Sequence, residues 1–225
     1  MHLAPFMEVK LQSGPTAKGI RRNLKKFARI IRVKPLYQQE RAKVFEERWA
    51  AIEEQLGTGD RSLLDIGCNM GSFTAAAARR GMFAIGVDPM EEAISRARSL
   101  HSRIKGCGFV WQDINIETVN NLPRCDVALC LSVHHYWSRA HGESGAWQII
   151  SEILKRSGKL FFEPASSYVR YGAERPGFVE NDEVSIDHYV HKNFATIGAA
   201  RKVTRLISTA SINLEKSRSM YLIEK

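Results

Sequence analysis

Four acids and a pair of histidines stand where short apolar runs of this 225-residue chain come to an end. Asp65 follows Leu63-Leu64, Asp88 closes Phe83-Ala84-Ile85-Gly86-Val87, Asp113 follows Val110-Trp111-Gln112, and Glu163 closes Leu160-Phe161-Phe162. His134 and His135 follow Leu129-Cys130-Leu131-Ser132-Val133. In an open parallel sheet the carboxyl ends of the strands carry binding and chemistry. Between Asp65 and Asp88 lies Gly67-Cys68-Asn69-Met70-Gly71, which opens into an alanine-rich helix. Its glycines are spaced Gly-x-x-x-Gly, not the Gly-x-Gly-x-x-Gly of pyrophosphate binders, so the ligand carries a nucleoside without a pyrophosphate. Asp88 is then placed to accept from both ribose hydroxyls, with Pro89 and Met90 over one face of the base. The plainer alternative for Asp88 and Asp113 is a helix cap or turn acid.

Asp-x-Gly-Cys-x-x-Gly, followed by a strand that ends in Asp, resembles the class I S-adenosylmethionine-dependent methyltransferases over Leu63 to Glu163. The resemblance implies a doubly wound, mostly parallel seven-stranded sheet with an antiparallel C-terminal strand, and S-adenosylmethionine as cofactor. It implies that Gly67 and Gly71 bring peptide N–H groups and a helix start toward the methionine carboxylate. Asp65 would accept from the amino group. Asp113 would accept from the adenine amino group, and Ile114 and Ser132 would line the cofactor. The family usually has Gly where this chain has Asn69, a residue that tolerates unusual backbone angles. Related enzymes close over the methionine end with an aromatic or Arg just before the first strand. Tyr37 and Arg41 stand there, and a guanidinium can grip a carboxylate with two bonds; the alternative for Arg41 is an exposed helix-start charge.

On the acceptor side His135 is the first candidate for general base or orienting donor, and His134 the second. Glu163 would orient His135, fix the cofactor or bind an acceptor hydroxyl; structural and capping roles are the alternatives. Leu131-Ser132-Val133-His134, His141-Gly142 and the strand ending in Glu163 are similar to enzymes that methylate terminal phosphate on polysaccharide chains or the 5′ γ-phosphate of small RNAs. Arg218-Ser219-Met220-Tyr221-Leu222 looks like the closing strand of the polysaccharide group. The expected function is O-methylation of a small-molecule, glycan or phosphorylated acceptor. An RNA methyltransferase and a cofactor-binding scaffold without turnover are the alternatives. His-x-x-Glu spacing is absent, and no metal site is expected.

The elements that must position these residues follow from the hydrophobic pattern. Strands are expected at Ser62–Ile66, Phe83–Val87, Gly108–Trp111, Val127–Leu131 and Lys159–Glu163. Helices are expected at Ser72–Arg80, Met90–His101 and Ala146–Lys155, an alternation that implies parallel strands. Arg201–Ser208 and Ser219–Ile223 read as two more strands joined by Thr209–Arg218. The loop His134–His141 and the irregular polar segment Ala165–Tyr189 would face the acceptor. Residues 1–58 read as an arm and helices that pack on a catalytic domain of residues 59–225, with an amphipathic helix at Ile20–Val33 and a longer one at Gln38–Leu56.

The net charge of +9 is concentrated partly at Lys18, Arg21, Arg22, Lys25, Lys26, Arg29, Arg32 and Lys34. Such a cluster suits RNA, a phosphorylated substrate or an anionic membrane surface; a solvated helix face explains it equally well. No apolar run reaches the roughly 20 residues of a membrane span. The start has no secretory pattern. Cys68, Cys107, Cys125 and Cys130 lack Cys-x-x-Cys spacing and read as reduced thiols of a cytoplasmic protein.

Overall fold

The chain divides into two compact units, Met1–Lys43 and Val44–Lys225. The computed structural model describes residues 43–225 except 166, 170–171, 174–176, 199 and 212–213. Tyr37, Arg41 and the basic cluster between Lys18 and Lys34 lie outside the described residues.

Helix α1 covers residues 43–54, all but the first of them in the second unit. There follow β1 (Ser62–Ile66), α2 (Ser72–Arg79), β2 (Phe83–Asp88), α3 (Glu91–Leu100), β3 (Cys107–Trp111), β4 (Cys125–Leu131), α4 (His134–Arg156), β5 (Ser157–Glu163), α5 (Glu183–Ile197), β6 (Lys202–Ser211) and β7 (Leu214–Glu224). The seven strands form one sheet in the order β3-β2-β1-β4-β5-β7-β6. The first five pair in parallel, and β7 runs antiparallel to both β5 and β6. This is the doubly wound sheet, with its antiparallel end, that the alternating pattern implied.

Successive strand residues face opposite sides, and each side has its own core. Leu63, Leu129 and Phe161 pack with Ile52 of α1 and Ala77 of α2. Leu64, Cys130 and Phe162 pack with Trp147 and Ile150 of α4 and Phe194 of α5. Each such buried side chain contributes about 1.5–3 kcal/mol, so the strand ends are held from both sides.

Three local expectations are corrected. The segment expected as a loop at His134–His141 is the first part of α4, which breaks at Gly142 (φ 70°, ψ 174°) before continuing to β5. His134, His135 and Trp137 are buried along it, and this core contact holds a helix that polar patterning alone does not suggest. Helix α5 begins inside the segment read as irregular, burying Ile186, Tyr189, Val190 and Phe194 at helical spacing. The connection expected over Thr209–Arg218 is largely strand, because β6 and β7 pair out to Ser211 and Leu214.

That last difference changes the shape of the site. β5 pairs with β7 only from Tyr221 to Glu224, with Phe162 opposite Tyr221. From Met220 back to Leu214, β7 pairs with β6 alone among the described residues. The β6–β7 ribbon therefore runs past the carboxyl end of β5. At about 3.3 Å per residue, the seven residues from Tyr221 back to Leu214 project roughly 23 Å.

No described helix is long and apolar enough to cross a membrane. The four cysteines are free thiols, and burial raises the pKa of each.

Candidate active site

The turn after β1 is closed by residues that accept left-handed backbone angles. Gly67 and Gly71 both have φ 76°, and Asn69 has φ 50°. A Cβ on Gly67 would lie 2.2 Å from Val133 Cγ1, and one on Gly71 would lie 2.2 Å from Phe109 Cε1. Asn69 suits this left-handed position because its own Oδ1 accepts from the Met70 amide at 2.8 Å.

Asp88 ends β2 and is nearly buried. Its Oδ2 accepts from the Asn69 amide at 2.8 Å and its Oδ1 from the Met90 amide at 2.9 Å. A carboxylate has about four lone-pair sites. Two amides thus orient this one and leave capacity for a ribose diol. The amides of the turn are less available than expected. Those of Gly67 and Cys68 donate to Val87 O, and that of Gly71 to Cys68 O. Those of Asn69 and Met70 go to Asp88 and to the Asn69 side chain. In this structure the two glycines close the turn and let Val133 and Phe109 approach it.

Asp65 is also turned inward. Its Oδ2 accepts from the Thr74 amide at 3.1 Å and the Thr74 hydroxyl at 2.7 Å. The N-cap of α2 is Gly71, which has no side chain to cap with. Asp65 supplies the missing acceptor from across the turn. Burial, with Asp88 nearby adding repulsion, pushes the Asp65 carboxyl up to about 6, against the bonds from Thr74.

Farther along the strand ends, Pro89 O accepts from Trp111 Nε1 at 2.9 Å, and Met90 is exposed beside it. Asp113 is exposed and accepts from Asn115 Nδ2 at 3.2 Å. Ile114 is buried, and its carbonyl accepts from Trp137 Nε1 at 2.6 Å, which ties this corner to α4. Asp65, Asp88 and the turn are brought together. Asp113 and Ile114 flank them beyond β3.

On the other side, Ser132 follows β4 with φ 60°, a conformation that costs a non-glycine residue about 1–3 kcal/mol and that concentrates at functional sites. Its amide donates to Glu163 O at 2.8 Å, joining the ends of β4 and β5. Glu163 Oε1 accepts from the Ser132 hydroxyl and from Arg48 Nη2 of α1. Arg218 Nη1, from the projecting part of β7, donates to Ser132 Oγ at 2.7 Å and lies 3.7 Å from Glu163 Oε1. The side chain of Glu163 is fully sealed, whereas Arg48 and Arg218 keep 15% and 18% of theirs exposed.

The histidines sit deeper than expected. His134 Nδ1 and the Tyr168 hydroxyl share a 2.7 Å hydrogen bond, and the His134 ring packs on Trp147 and Phe162. His135 stacks on the exposed Tyr136 ring at 4.1 Å between centroids. Burial lowers both imidazoles to about 3. For His134 the neighbouring His135 adds to it, and for His135 the charges of Arg218 and Arg139 do. A base whose conjugate acid sits at about 3 takes a proton from a phenol of pKa about 10 uphill by about seven units. Burial thus keeps both rings neutral at pH 7.

Sequence reasoning did not single out Arg48, Arg139 or the Tyr168 partner of His134. A signal for Arg48 was present. Phe45, Trp49 and Ile52 mark the inward stripe of α1, and Arg48 falls within it. A cation on an apolar stripe requires a buried partner. Among the described residues, no group of three or more His, Cys, Asp or Glu is placed to hold a metal ion.

A nucleotide-type turn, a strand-end acid and an antiparallel last strand inserted beside β5 define the class I S-adenosylmethionine-dependent methyltransferase architecture. Residues 64–162 match the family model described as a methyltransferase domain. Ubiquinone biosynthesis O-methyltransferase from Pseudomonas fluorescens is 28% identical over 113 residues, 49% of this chain and 47% of the relative. The enzyme of that name from Idiomarina loihiensis is 30% identical over 116 residues, 51% and 46% of the two chains. The chain thus spans about half the length of these curated relatives. Among solved structures, WbdD superposes with a TM-score of 0.61 at 20% identity, covering 82% of this chain and 39% of WbdD. The N-terminal domain of EvdMO1 with SAH bound superposes with a TM-score of 0.54 at 19% identity, covering 80% and 79%. These two establish the fold. S-adenosylmethionine is the cofactor of the class, and the Asp88 carboxylate, with lone pairs to spare at the strand end, fits its ribose.

Proposed function

We propose that this chain is an S-adenosylmethionine-dependent O-methyltransferase whose acceptor binds over the ends of β4 and β5. Asp88 carries the reading: a nearly buried carboxylate, held by two amides, closes the strand next to the glycine turn. It would hold the ribose hydroxyls, Met90 and Pro89 would border the base, and Asp113 would bond its amino group. Arg48, whose guanidinium reaches the end of β5 from α1, would border the methionine end beside it. S-adenosylmethionine supplies an electrophilic methyl group when bound.

The chain's own part is largely placement. Two reactants held in line gain more from orientation than from any single catalytic group. Ser132, fixed between Arg218 and Glu163, and neutral His135 would orient the acceptor oxygen. His134 would act through its bond to Tyr168, which anchors α4 to the segment after β5. The test is calorimetric titration with S-adenosylhomocysteine. Asp88→Ala should abolish measurable binding while circular dichroism is unchanged. Unaltered affinity would refute the assignment.

A further inference from the structure

We propose that the bare face of β2 and β3 docks an amphipathic helix of a partner protein, apolar along one stripe and acidic at the end that meets the amino-terminal ends of the strands. Phe83 opens β2 and Asp88 closes it, so this surface lies apart from the cofactor pocket, and the inference is independent of the methyl-transfer reading.

The vacancy comes from the connectivity. α2, α3 and α4 make the crossovers from β1 to β2, β2 to β3 and β4 to β5. From β3 to β4 the chain passes over β2 and β1 with one three-residue 3-10 turn, Val119–Asn121, and no α-helix, all of it among the described residues. α2 and α3 pack on one face of β2 and β3. On the other face α4 and α5 lie over β4 to β7. There Ile114, Val119 and Leu122 of the short connection join Leu64, Ile66 and Val87 in one core. Phe83 and Ile85 point to the side of Val87, with Gly108 and Val110 in register beside them. These are left bare: Phe83 is 75% exposed, Ile85 37% and Val110 40%. A Cβ on Gly108 would meet nothing within 4 Å, so the floor between them is open.

Size and charge select the occupant. The three side chains expose on the order of 300 Å², well under the roughly 800 Å² that each partner of a stable dimer buries. A second copy needs more surface than this face offers, whereas one helix needs only a stripe. β3 has five residues, about 16 Å at strand rise, which a helix of about 11 residues spans. Its apolar positions would follow the i, i+3, i+4, i+7 pattern of helices laid in grooves. An added strand is disfavoured, because Arg98 Nε and Nη2 both donate to Phe109 O and blunt the edge of β3. Cations stand beside Phe83. Its amide donates to Arg61 O, Lys105 precedes Gly106, whose carbonyl accepts from the Ala84 amide, and Arg124 precedes β4. All three are exposed. The acids nearby are engaged: Asp126 Oδ2 accepts from the Arg61 and Ser62 amides and the Ser62 hydroxyl, and Asp60 pairs with Lys159. Acidic side chains on the partner complement this end, and basic ones are repelled.

The experiment follows the fluorescence anisotropy of two labelled synthetic helices against the full chain at low salt, where charges are least screened. Both carry about 15 residues with Leu at the i, i+3, i+4, i+7 positions and Ala or Gln elsewhere; one ends in a run of Glu, the other in a run of Lys. The acidic helix should bind at least about tenfold more tightly than the basic one. Phe83→Ser should weaken it by about tenfold or more, the scale of a lost interface anchor. Lys105→Glu should narrow the preference for Glu over Lys. Circular dichroism should be unchanged in both variants, because both side chains are exposed. The inference is overturned if the acidic helix does not bind, if the two helices bind alike, or if binding ignores Phe83. Sedimentation equilibrium of the unliganded chain covers the other occupant: a dimer that Phe83→Ser dissociates would give the face to a second copy and overturn the partner helix, and a monomer supports it.

Discussion

Asp65 makes the stability of this protein depend on pH in a direction opposite to that of most carboxylates. Its carboxyl is pushed from 3.8 up to about 6, chiefly by burial. A group with a raised folded-state pKa contributes stability that is complete below its unfolded value and is lost as pH rises through the folded value. For Asp65 that window runs from about pH 4 to about pH 7, and the shift corresponds to about 3 kcal/mol. The perturbation is Asp65→Asn, which keeps an oxygen for the Thr74 amide and hydroxyl but cannot ionise. It carries its own offset, because the new NH2 group is buried, but that offset does not vary with pH. Urea denaturation of both proteins between pH 4.5 and 8 separates the two effects. The wild-type protein should lose about 2 kcal/mol relative to Asp65→Asn across this range, the rest of the effect lying below pH 4.5. Parallel curves would show that Asp65 does not titrate in the folded state as its burial requires.

The remaining predictions concern the two halves of the site. Arg48→Ala should destabilise the protein by about 3–5 kcal/mol in urea, because Glu163 then stays buried with one donor fewer; a loss below about 1 kcal/mol would place the pair at a solvated surface. Gly67→Ala should cost roughly 2–4 kcal/mol, from the φ of 76° and the overlap with Val133. Adding Val133→Ala should recover part of that cost in a double-mutant cycle, whereas simple additivity would mean that the contact is not the cause.

The sheet was legible where strands are short, apolar and bounded by acids. β1 falls on its expected residues, and β2 extends one residue further, to Asp88. The turn was legible because positive φ restricts residue type to Gly and Asn. The start of α4 was hidden because His134 and His135 are polar by type and become core only through Tyr168, Trp147 and Phe162, which are distant in sequence. The inward turn of Asp65 was hidden for a related reason. A strand-end acid looks the same in sequence whether it faces a ligand or caps a neighbouring helix. Arg218 emerged as a site residue only with the register of β7, since a shift of one position would send its side chain to the other face.

The projecting ribbon has an evolutionary corollary. Beyond Tyr221 β7 leans on β6 alone among the described residues, so its arm can lengthen, shorten or change composition without disturbing the strands that hold the nucleoside. The turn after β1, with Val133 and Phe109 packed against its glycines, has no such freedom. A change in that arm reaches the ends of β4 and β5 through Arg218, which bonds Ser132.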